Sequence, residues 1–251
     1  MTSPAPTGVD EERYAAFLAA QAASPTLAAI YQDAYGPDHP AELQPFGFVT
    51  WTDLRRIGAL LEVRAGQRLA DIGCGRGGPG IWVARETGAH LVGLDVVAGA
   101  VADAALRSVA LGLPTARFRI GGFTDTGLVT ASCAAVMSVD ALWMVWDKAA
   151  ALAEVARVLR PGGRFAFTTW ETADVDQRAL LGRAGFDVLV REETPDWLDR
   201  QLAVYTGIRE SEAELRAEMG DAAAAVILAE ARDTPPRLPS TPRLLIAAVR
   251  R

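Results

Sequence analysis

The chain has 251 residues, of which 50% are hydrophobic and 22% are charged, so it can bury the core of one large globular domain. Its net charge of −6 excludes nucleic acid as the main partner, because binding phosphates requires a basic surface. Two cysteines and two histidines predict neither a disulfide framework nor a metal site. The first ten residues lack the basic and apolar segments of a signal peptide, and no apolar run could cross a bilayer. We therefore expect a cytoplasmic protein without membrane contacts.

The N-terminal quarter of the chain is predicted to be helical. A tail of about ten residues, rich in Pro, Thr and Ser, is predicted to be disordered. Residues 11–34 predict one or two helices with a break near Ser24 and Pro25, and residues 50–61 predict another. The glycine and prolines of the loop at 36–40 oppose regular structure. We assign residues 1–62 to this tail and a helical cap.

From residue 66 onward, short apolar strands alternate with helices. Strands are predicted at 68–72, 91–95, 116–120, 134–139 and 164–169. This alternation is typical of a parallel sheet covered by helices on both faces, which is a doubly wound α/β fold. The C-terminal part differs: it predicts a helix at 176–184, a strand at 186–190, a helical stretch at 197–230 and a last strand at 244–249.

A glycine-rich segment from Asp71 to Gly80 follows the first predicted strand and holds five glycines. Glycine permits a sharp turn there and allows a ligand to approach backbone N–H groups closely. Asp95 ends the second predicted strand, where a carboxylate can accept hydrogen bonds from both hydroxyls of a ribose. The segment therefore predicts an adenosine-containing cofactor at the carboxyl ends of the strands.

The glycine spacing fits two classes of cofactor. Read through Gly78, it matches the dinucleotide pattern G-x-G-x-x-G, and read through Gly77 it matches the G-x-G-x-G of methyltransferases. Asp71, directly before the turn, would repel a pyrophosphate but suits a cofactor that carries an ammonium and a sulfonium. The helical region ahead of the loop and the turn at Arg160–Gly163 also favour the second class.

Together these motifs resemble class I S-adenosylmethionine-dependent methyltransferases over roughly residues 64–190 and the last strand. The resemblance is carried by Asp71–Gly77, Asp95, Ser138–Leu142, Leu159–Gly163 and Ala184–Phe186. It implies S-adenosylmethionine as cofactor and a mostly parallel seven-stranded sheet of order 3-2-1-4-5-7-6 with an antiparallel last strand. Residues 63–251 would then form a Rossmann-like catalytic domain with a helical insertion at about 196–232. With its helical region ahead of the loop, the chain also resembles bacterial small-molecule methyltransferases of specialised metabolism.

The resemblance also implies a set of cofactor-binding residues, namely Asp71, Gly73, Gly75, Gly77, Asp95, Val96, Gly122, Phe123, Ser138 and Asp140. One position departs from the family pattern. Many members carry an Asp after the third strand that binds the adenine amino group, whereas this chain has Gly121, Gly122 and Phe123. We expect adenine to contact backbone groups and Phe123, with Asp125 or nothing at its amino group.

Methyl transfer requires alignment and exclusion of water, and for an acidic acceptor a base. Candidate bases are His39, Asp140 and Glu171. His39 also fits a solvated loop residue, and Asp140 fits a contact to the cofactor or a helix cap. In the segment after Leu142, where members of the family often carry His, this chain has Trp143 and Met144, which indicates an apolar substrate or one that needs little deprotonation.

Aromatic residues are expected to wall the substrate site. The residues assigned to it are Tyr31, Tyr35, Trp143, Trp170 and Tyr205, whereas Phe46, Phe48 and Trp146 are assigned to core packing. Tyr205 shares a helical face with Trp197 and Gln201 because the three are spaced by four residues. That face fits either a cap over the substrate or a contact in a homodimer.

The sequence thus predicts a methyltransferase that acts on a small metabolite at O, N or C. Two alternatives remain. A methyltransferase-fold protein that catalyses a non-methylating reaction, such as a cyclisation, is supported by the scarcity of bases. An NAD(P)- or FAD-dependent oxidoreductase is supported only by the shared glycine pattern and is opposed by Asp71.

Overall fold

The computed structural model describes residues 11–45 and 47–251, with side chains from residue 16 onward. The predicted disordered tail and Phe46 lie outside these residues. The N-terminal region forms helices α1 (Glu11–Ala23) and α2 (Pro25–Tyr35). Ser24 Oγ caps α2 by accepting a hydrogen bond from Leu27 N at 3.0 Å, and Pro25 suits the first helical position. The predicted break at Ser24 and Pro25 is confirmed.

Helix α3 (Trp51–Leu61) begins with a capping box between Thr50 and Asp53, which satisfies two N–H groups at its start. Leu54 and Ile57 on its apolar face are fully buried and pack with residues of the central sheet. Helix α3 lies within residues 1–62, which are assigned to the tail and cap, but it packs on the central sheet. Before α3, the loop predicted at 36–40 contains a 3-10 turn at Gly36–Asp38, and a second 3-10 turn follows it at Ala41–Leu43.

The centre of the molecule is one seven-stranded sheet of order β3-β2-β1-β4-β5-β7-β6. Its strands are β1 (Arg68–Ile72), β2 (His90–Asp95), β3 (Arg117–Ile120), β4 (Cys133–Ser138), β5 (Leu159–Trp170), β6 (Phe186–Glu193) and β7 (Arg243–Arg250). Strands β1 to β5 pair in parallel, and β7 runs antiparallel to both β5 and β6. The predicted order and the antiparallel last strand are confirmed.

Helices cover both faces of this sheet. Besides α3, the covering helices are α4 (Gly78–Thr87), α5 (Ala98–Ala110), α6 (Lys148–Val158) and α7 (Gln177–Arg183). Successive residues of β4 point to opposite faces, as strand geometry requires. Val136 lies in one apolar cluster with Leu152 of α6, whereas Ala135 lies in the other with Ile57 of α3. The doubly wound architecture is therefore confirmed.

Between β6 and β7 the chain forms α8 (Trp197–Glu210), α9 (Glu212–Met219) and α10 (Asp221–Asp233). The predicted single stretch is thus three helices, because the chain turns at Ser211 and at Gly220, which has a φ of 78°. This insertion packs on α1 and α2. Ser24 Oγ and Thr26 Oγ1 donate to Glu218 at 2.5 and 2.6 Å. No helix among the described residues has the length and apolar character to cross a membrane.

Candidate functional site

The glycine loop after β1 is tied to the end of β2. Gly73 N and Cys74 N donate to Leu94 O, at 2.8 and 3.0 Å. The two carboxylate oxygens of Asp95 accept hydrogen bonds from Gly75 N at 2.8 Å and Val97 N at 3.0 Å. Gly75 has a φ of 51°, and a Cβ atom added there would have no neighbour within 4 Å. The loop therefore leaves space for a ligand next to its backbone.

Asp71 is buried at the end of β1 against the start of α4. It accepts a hydrogen bond from Gly80 N, and its Oδ1 atom has no hydrogen-bond partner among the described residues. Burial, and next the charge of Asp95, raise the pKa of Asp71 to about 7 because both disfavour its ionised form. A cationic ligand group would satisfy the unpaired oxygen and stabilise the carboxylate.

These groups fit the cofactor implied by the resemblance. Asp71 offers an unpaired carboxylate oxygen to an ammonium, and Asp95 offers a partly exposed carboxylate to ribose hydroxyls. Phe123 is buried beside the loop, since a Cβ added at Gly73 would lie 3.4 Å from its ring. Val96 is exposed, and a Cβ added at Gly122 would lie 3.0 Å from it. These two residues border the space beyond β2.

The contact expected for Asp125 stays a prediction. Its Oδ1 accepts a hydrogen bond from Gly127 N at 3.1 Å, and its carbonyl accepts one from Gly122 N at 3.0 Å. The aspartate therefore shapes the turn after β3 with both its carboxylate and its carbonyl.

Ser138 and Asp140 follow β4 beside the glycine loop. The Ser138 hydroxyl is fully buried and has no hydrogen-bond partner among the described residues. Asp140 has a φ of 50° and is buried. Its Oδ2 accepts a hydrogen bond from Phe48 N at 2.9 Å, and both its oxygens lie 3.1 Å from Arg243 nitrogens. Because both oxygens are engaged, this arrangement opposes the expected role of Asp140 as a base.

Above these strand ends lies an aromatic cluster of Tyr31, Tyr35, His39, Phe48, Trp143, Trp170 and Tyr205. Tyr31 stacks on Tyr35 and His39 with centroid distances of 6.1 and 5.8 Å. Phe48 contacts Trp170 and Tyr205, each at 5.8 Å. Trp143 meets Trp170 at 5.8 Å. The structure thus brings the five predicted substrate-site residues together with His39. Phe48, assigned to core packing, is buried as expected and lies at the centre of the cluster.

A chain of hydrogen bonds fixes the cluster to the helical insertion. Trp170 Nε1 donates to Gln201 Oε1 at 3.1 Å, Gln201 Nε2 donates to Tyr205 OH at 3.1 Å, and Tyr205 OH donates to Glu230 at 2.8 Å. Burial and the nearby Glu230 raise the pKa of Tyr205. The face with Trp197, Gln201 and Tyr205 is buried within this chain, so it packs on the cap and is closed to a second subunit.

Among the described residues, His39 is the predicted base whose side chain has no hydrogen-bond or ion-pair partner. It is half-buried beside Tyr31 and Tyr35. Burial lowers its pKa from the ordinary value, so the imidazole is neutral at pH 7 and can accept a proton. Burial, followed by the neighbouring Tyr35 and Glu230, raises the pKa of Tyr31 well above its ordinary value, which keeps that hydroxyl protonated.

Two residues lie elsewhere than expected. Glu171 is paired with Arg191, accepts a hydrogen bond from Gln177 N, and lines a separate cleft of about 610 Å³, so it lies outside the aromatic cluster. Trp146 is not packed in the core, because it is 97% exposed in the loop after β4. Among the described residues, no group of three or more His, Cys, Asp and Glu side chains could hold a metal.

Sequence reasoning missed Arg243, which is 1% exposed and pairs with both Asp140 and Asp53. The available signal was its position as a charged residue directly before the apolar segment 244–249. It also missed Gln201 and Glu230 as polar partners of the cluster, since surface helices commonly carry such residues.

Comparisons with known proteins agree with this geometry. The model of a methyltransferase domain family matches residues 70–167. Methyltransferase GfsG of Streptomyces halstedii is 30% identical over 164 residues, which cover 63% of this chain and 57% of that protein. The chain thus spans little more than half the length of this curated relative.

Two solved structures share the fold. The [4+2]-cyclase SpnF matches with a TM-score of 0.72 and 19% identity, over 99% of both chains. Phosphoethanolamine N-methyltransferase 2 of Haemonchus contortus, in complex with S-adenosyl-L-methionine, matches with a TM-score of 0.71 and 20% identity, over 100% of this chain and 62% of that one. Over residues 70–167, which contain the glycine loop, Asp71 and Asp95, the chain is similar to methyltransferase domains, and these residues fit S-adenosylmethionine as cofactor.

Proposed function

We propose that this protein transfers a methyl group from S-adenosylmethionine to a small, largely apolar metabolite in bacterial specialised metabolism. The observation that carries the proposal is that Asp140 connects the two halves of the site. The cofactor half is the glycine loop with the strand ends, and the acceptor half is the aromatic cluster. Asp140 follows β4 next to the glycine loop, and its side chain accepts a hydrogen bond from Phe48 N in the aromatic cluster. A methyl donor and an apolar acceptor would therefore adjoin at one edge of the sheet.

The strand ends supply the cofactor half. When bound, S-adenosylmethionine supplies an electrophilic methyl group on a sulfonium. Asp71 would hold its ammonium and Asp95 its ribose, with Gly73, Gly75 and Gly77 shaping the loop and Val96, Gly122, Phe123 and Ser138 bordering the site. Each assignment uses a group that the structure leaves accessible, unpaired or close to the loop.

The aromatic cluster supplies the acceptor half. Its rings would enclose an apolar molecule and exclude water, which aligns the acceptor atom with the methyl group. His39, neutral at pH 7, is placed among these rings and would remove a proton from an acidic O–H acceptor. Asp140 would position the site without taking a proton.

A non-methylating reaction such as a cyclisation is the second candidate. It is favoured by one observation: Asp140 and Glu171 are both held in ion pairs. In the part of the chain that the structure describes, His39 is then the one predicted base without such a partner. A cyclisation within an enclosing apolar site requires no base, so this arrangement suits it as well.

Product mass separates the two candidates. The purified protein would be incubated with methyl-¹³C S-adenosylmethionine and a panel of apolar metabolites that carry hydroxyl, amine or nucleophilic carbon groups. We expect a product heavier by one labelled methylene, together with stoichiometric S-adenosylhomocysteine. A product of unchanged mass, with no S-adenosylhomocysteine formed, would contradict methyl transfer and support the cyclase.

The space beside Gly75 gives a prediction about cofactor affinity. Gly75→Ala places a methyl group where a ligand would approach the backbone, so we expect the affinity for S-adenosylhomocysteine to fall by about tenfold or more. Gly66→Ala is the matched control, because Gly66 also has a positive φ, of 77°, and no neighbour within 4 Å. Both variants should lose roughly 1–2 kcal/mol of stability from left-handed strain. Equal affinities in the two variants, by calorimetric titration, would show that the loop does not face the cofactor.

The raised pKa of Asp71 predicts pH-dependent binding. Its protonated fraction rises as the pH falls from 8 to 6, and a protonated carboxyl cannot pair with an ammonium. We therefore expect the affinity for S-adenosylhomocysteine to decrease by about tenfold across this range. In the cofactor-free protein the sign is opposite: the stability contributed by Asp71 is present at low pH and is lost as the pH rises through about 7. Asp71→Asn should bind weakly and lose the pH dependence, and an unchanged profile in this variant would assign the titration to another group.

A further inference from the structure

Arg243, the first residue of β7, is buried among polar groups from distant parts of the chain. Its Nη1 atom lies 2.8 Å from Asp53 Oδ2 and 3.0 Å from Thr194 Oγ1. Its Nε and Nη2 atoms donate to the two oxygens of Asp140, each at 3.1 Å. All three guanidinium nitrogens therefore have partners, which a charged group at 1% exposure requires.

The fork geometry of the guanidinium sets the direction of the Asp140 carboxylate. A planar guanidinium that binds both oxygens of one carboxylate fixes its rotation, which a lysine cannot do. Asp140 needs such support because its φ of 50° is unfavourable for a residue with a side chain. Thr168 completes the arrangement by donating its hydroxyl to Asp140 Oδ1 at 2.7 Å.

Three residues of the aromatic cluster directly contact either Asp140 or Arg243. Phe48 N donates to Asp140 Oδ2 at 2.9 Å, and Trp143 Nε1 donates to Asp140 O at 2.9 Å. The ring of Trp170 lies beneath the Arg243 guanidinium, at 5.7 Å from its central carbon. Trp170 in turn contacts both Phe48 and Trp143. A displacement of Arg243 would therefore change the positions of three residues that line the proposed acceptor site.

We propose that Arg243 is a positioning residue for the methyl transfer, a role that rests on the proposed function. By holding Asp140, it fixes Phe48, Trp143 and Trp170 relative to the strand ends where the cofactor would lie. It touches neither reactant. Its contribution is the alignment of the acceptor, on which an in-line displacement depends.

The test uses the full chain labelled with 5-fluorotryptophan and observed by ¹⁹F NMR. In Arg243→Lys, which keeps the charge and loses the fork, we expect the resonances of Trp143 and Trp170 to shift or broaden. The resonance of Trp82, which packs on Trp51 at 5.4 Å, should stay in place. The affinity for S-adenosylhomocysteine should change less than about threefold, because Asp71 and Asp95 lie outside this ion pair.

The matched control is Arg250→Lys, at the opposite end of β7, which should leave the Trp143 and Trp170 resonances in place. A folded Arg243→Lys protein in which those two resonances are also unchanged would overturn the proposal. If an acceptor is found, kcat of Arg243→Lys should fall by about tenfold or more while KM for S-adenosylmethionine stays within about threefold. An equal kcat in the two lysine variants would likewise overturn it.

A second variant covers the case in which Arg243→Lys does not fold. A Cβ added at Gly47 would lie 2.8 Å from Asp140 Oδ2, so Gly47→Ala would displace the same carboxylate. Gly36→Ala is its control, because Gly36 has a positive φ of 55° and no neighbour within 4 Å. The resonances of Trp143 and Trp170 should move in Gly47→Ala only, and unchanged resonances would overturn the proposal. Because these spectra need no turnover, failure to form a methylated product contradicts the proposed function separately.

Discussion

Replacement of Asp95 by alanine is expected to weaken the binding of S-adenosylhomocysteine by about 100-fold or more. The carboxylate would accept hydrogen bonds from two ribose hydroxyls, and a hydrogen bond to a charged group contributes about 1.5–3 kcal/mol. The same carboxylate accepts hydrogen bonds from Gly75 N and Val97 N, so its loss also frees the glycine loop. Both effects act in the same direction. Isothermal titration of the purified protein measures the change directly.

The control for this variant is Asp187→Ala, in β6. Asp187 is exposed and pairs with Arg251 on the surface, so its removal should leave the affinity unchanged. NADH serves as the second control and should not bind the unmodified protein. An Asp95→Ala protein that binds within about threefold of the original affinity would show that another group holds the ribose. Binding of NADH instead of S-adenosylhomocysteine would reverse the interpretation of the glycine loop.

Arg243→Met is expected to reduce the free energy of unfolding by about 3–5 kcal/mol. Asp53 and Asp140 would remain buried without their shared cation, and burying an unpaired carboxylate is costly. Burial already raises the pKa of Asp53, an effect that Arg243 opposes. In the variant the Asp53 carboxyl would take up a proton more readily because the opposing effect of Arg243 on its pKa is lost, so the difference in stability between the two proteins should narrow as the pH falls. Urea unfolding at pH 8 and pH 5 measures both effects.

The matched control is Arg251→Met, next to the end of the same strand. Arg251 and Asp187 are 53% and 59% exposed, and such surface pairs contribute about 0–1 kcal/mol. A loss of less than about 1 kcal/mol in Arg243→Met, comparable to this control, would mean that the surroundings rearrange to solvate the two carboxylates. In that case Arg243 would not hold the loop after β4.

Much of the cofactor half of the site could be predicted because its residues are close in the sequence. Asp71 and the glycine loop follow one strand, and Asp95 ends the next, so adjacent parallel strands place them at one edge. The fold followed from the same local patterns: apolar strands and helices alternate, and Ser24 and Thr50 mark helix starts by their capping chemistry. The strand order came from the resemblance to a family, and the sheet confirms it.

Less of the acceptor half could be predicted. The aromatic residues were identified by type, but type alone did not separate Phe48, which lies at the centre of the cluster, from Trp146, which is exposed. Glu171 and Trp170 are neighbours in the chain, yet Trp170 joins the cluster while Glu171 pairs with Arg191. A shift of one residue reverses the direction of a side chain at the end of a strand.

The sequence by itself therefore determined the α/β architecture, the glycine loop and the two aspartates that suit an adenosine cofactor, because each depends on short-range patterns. Only the tertiary structure decided how the acceptor half is held. Arg243 lies 190 positions from Asp53 and 103 from Asp140, and no local pattern links residues so far apart. Their pairing depends on the antiparallel insertion of β7 between β5 and β6, which places the Arg243 guanidinium next to Asp140 in the loop after β4. A buried charge requires partners that lie close to it in the folded structure, and the arrangement of the strands, not the sequence separation, determines which residues those are.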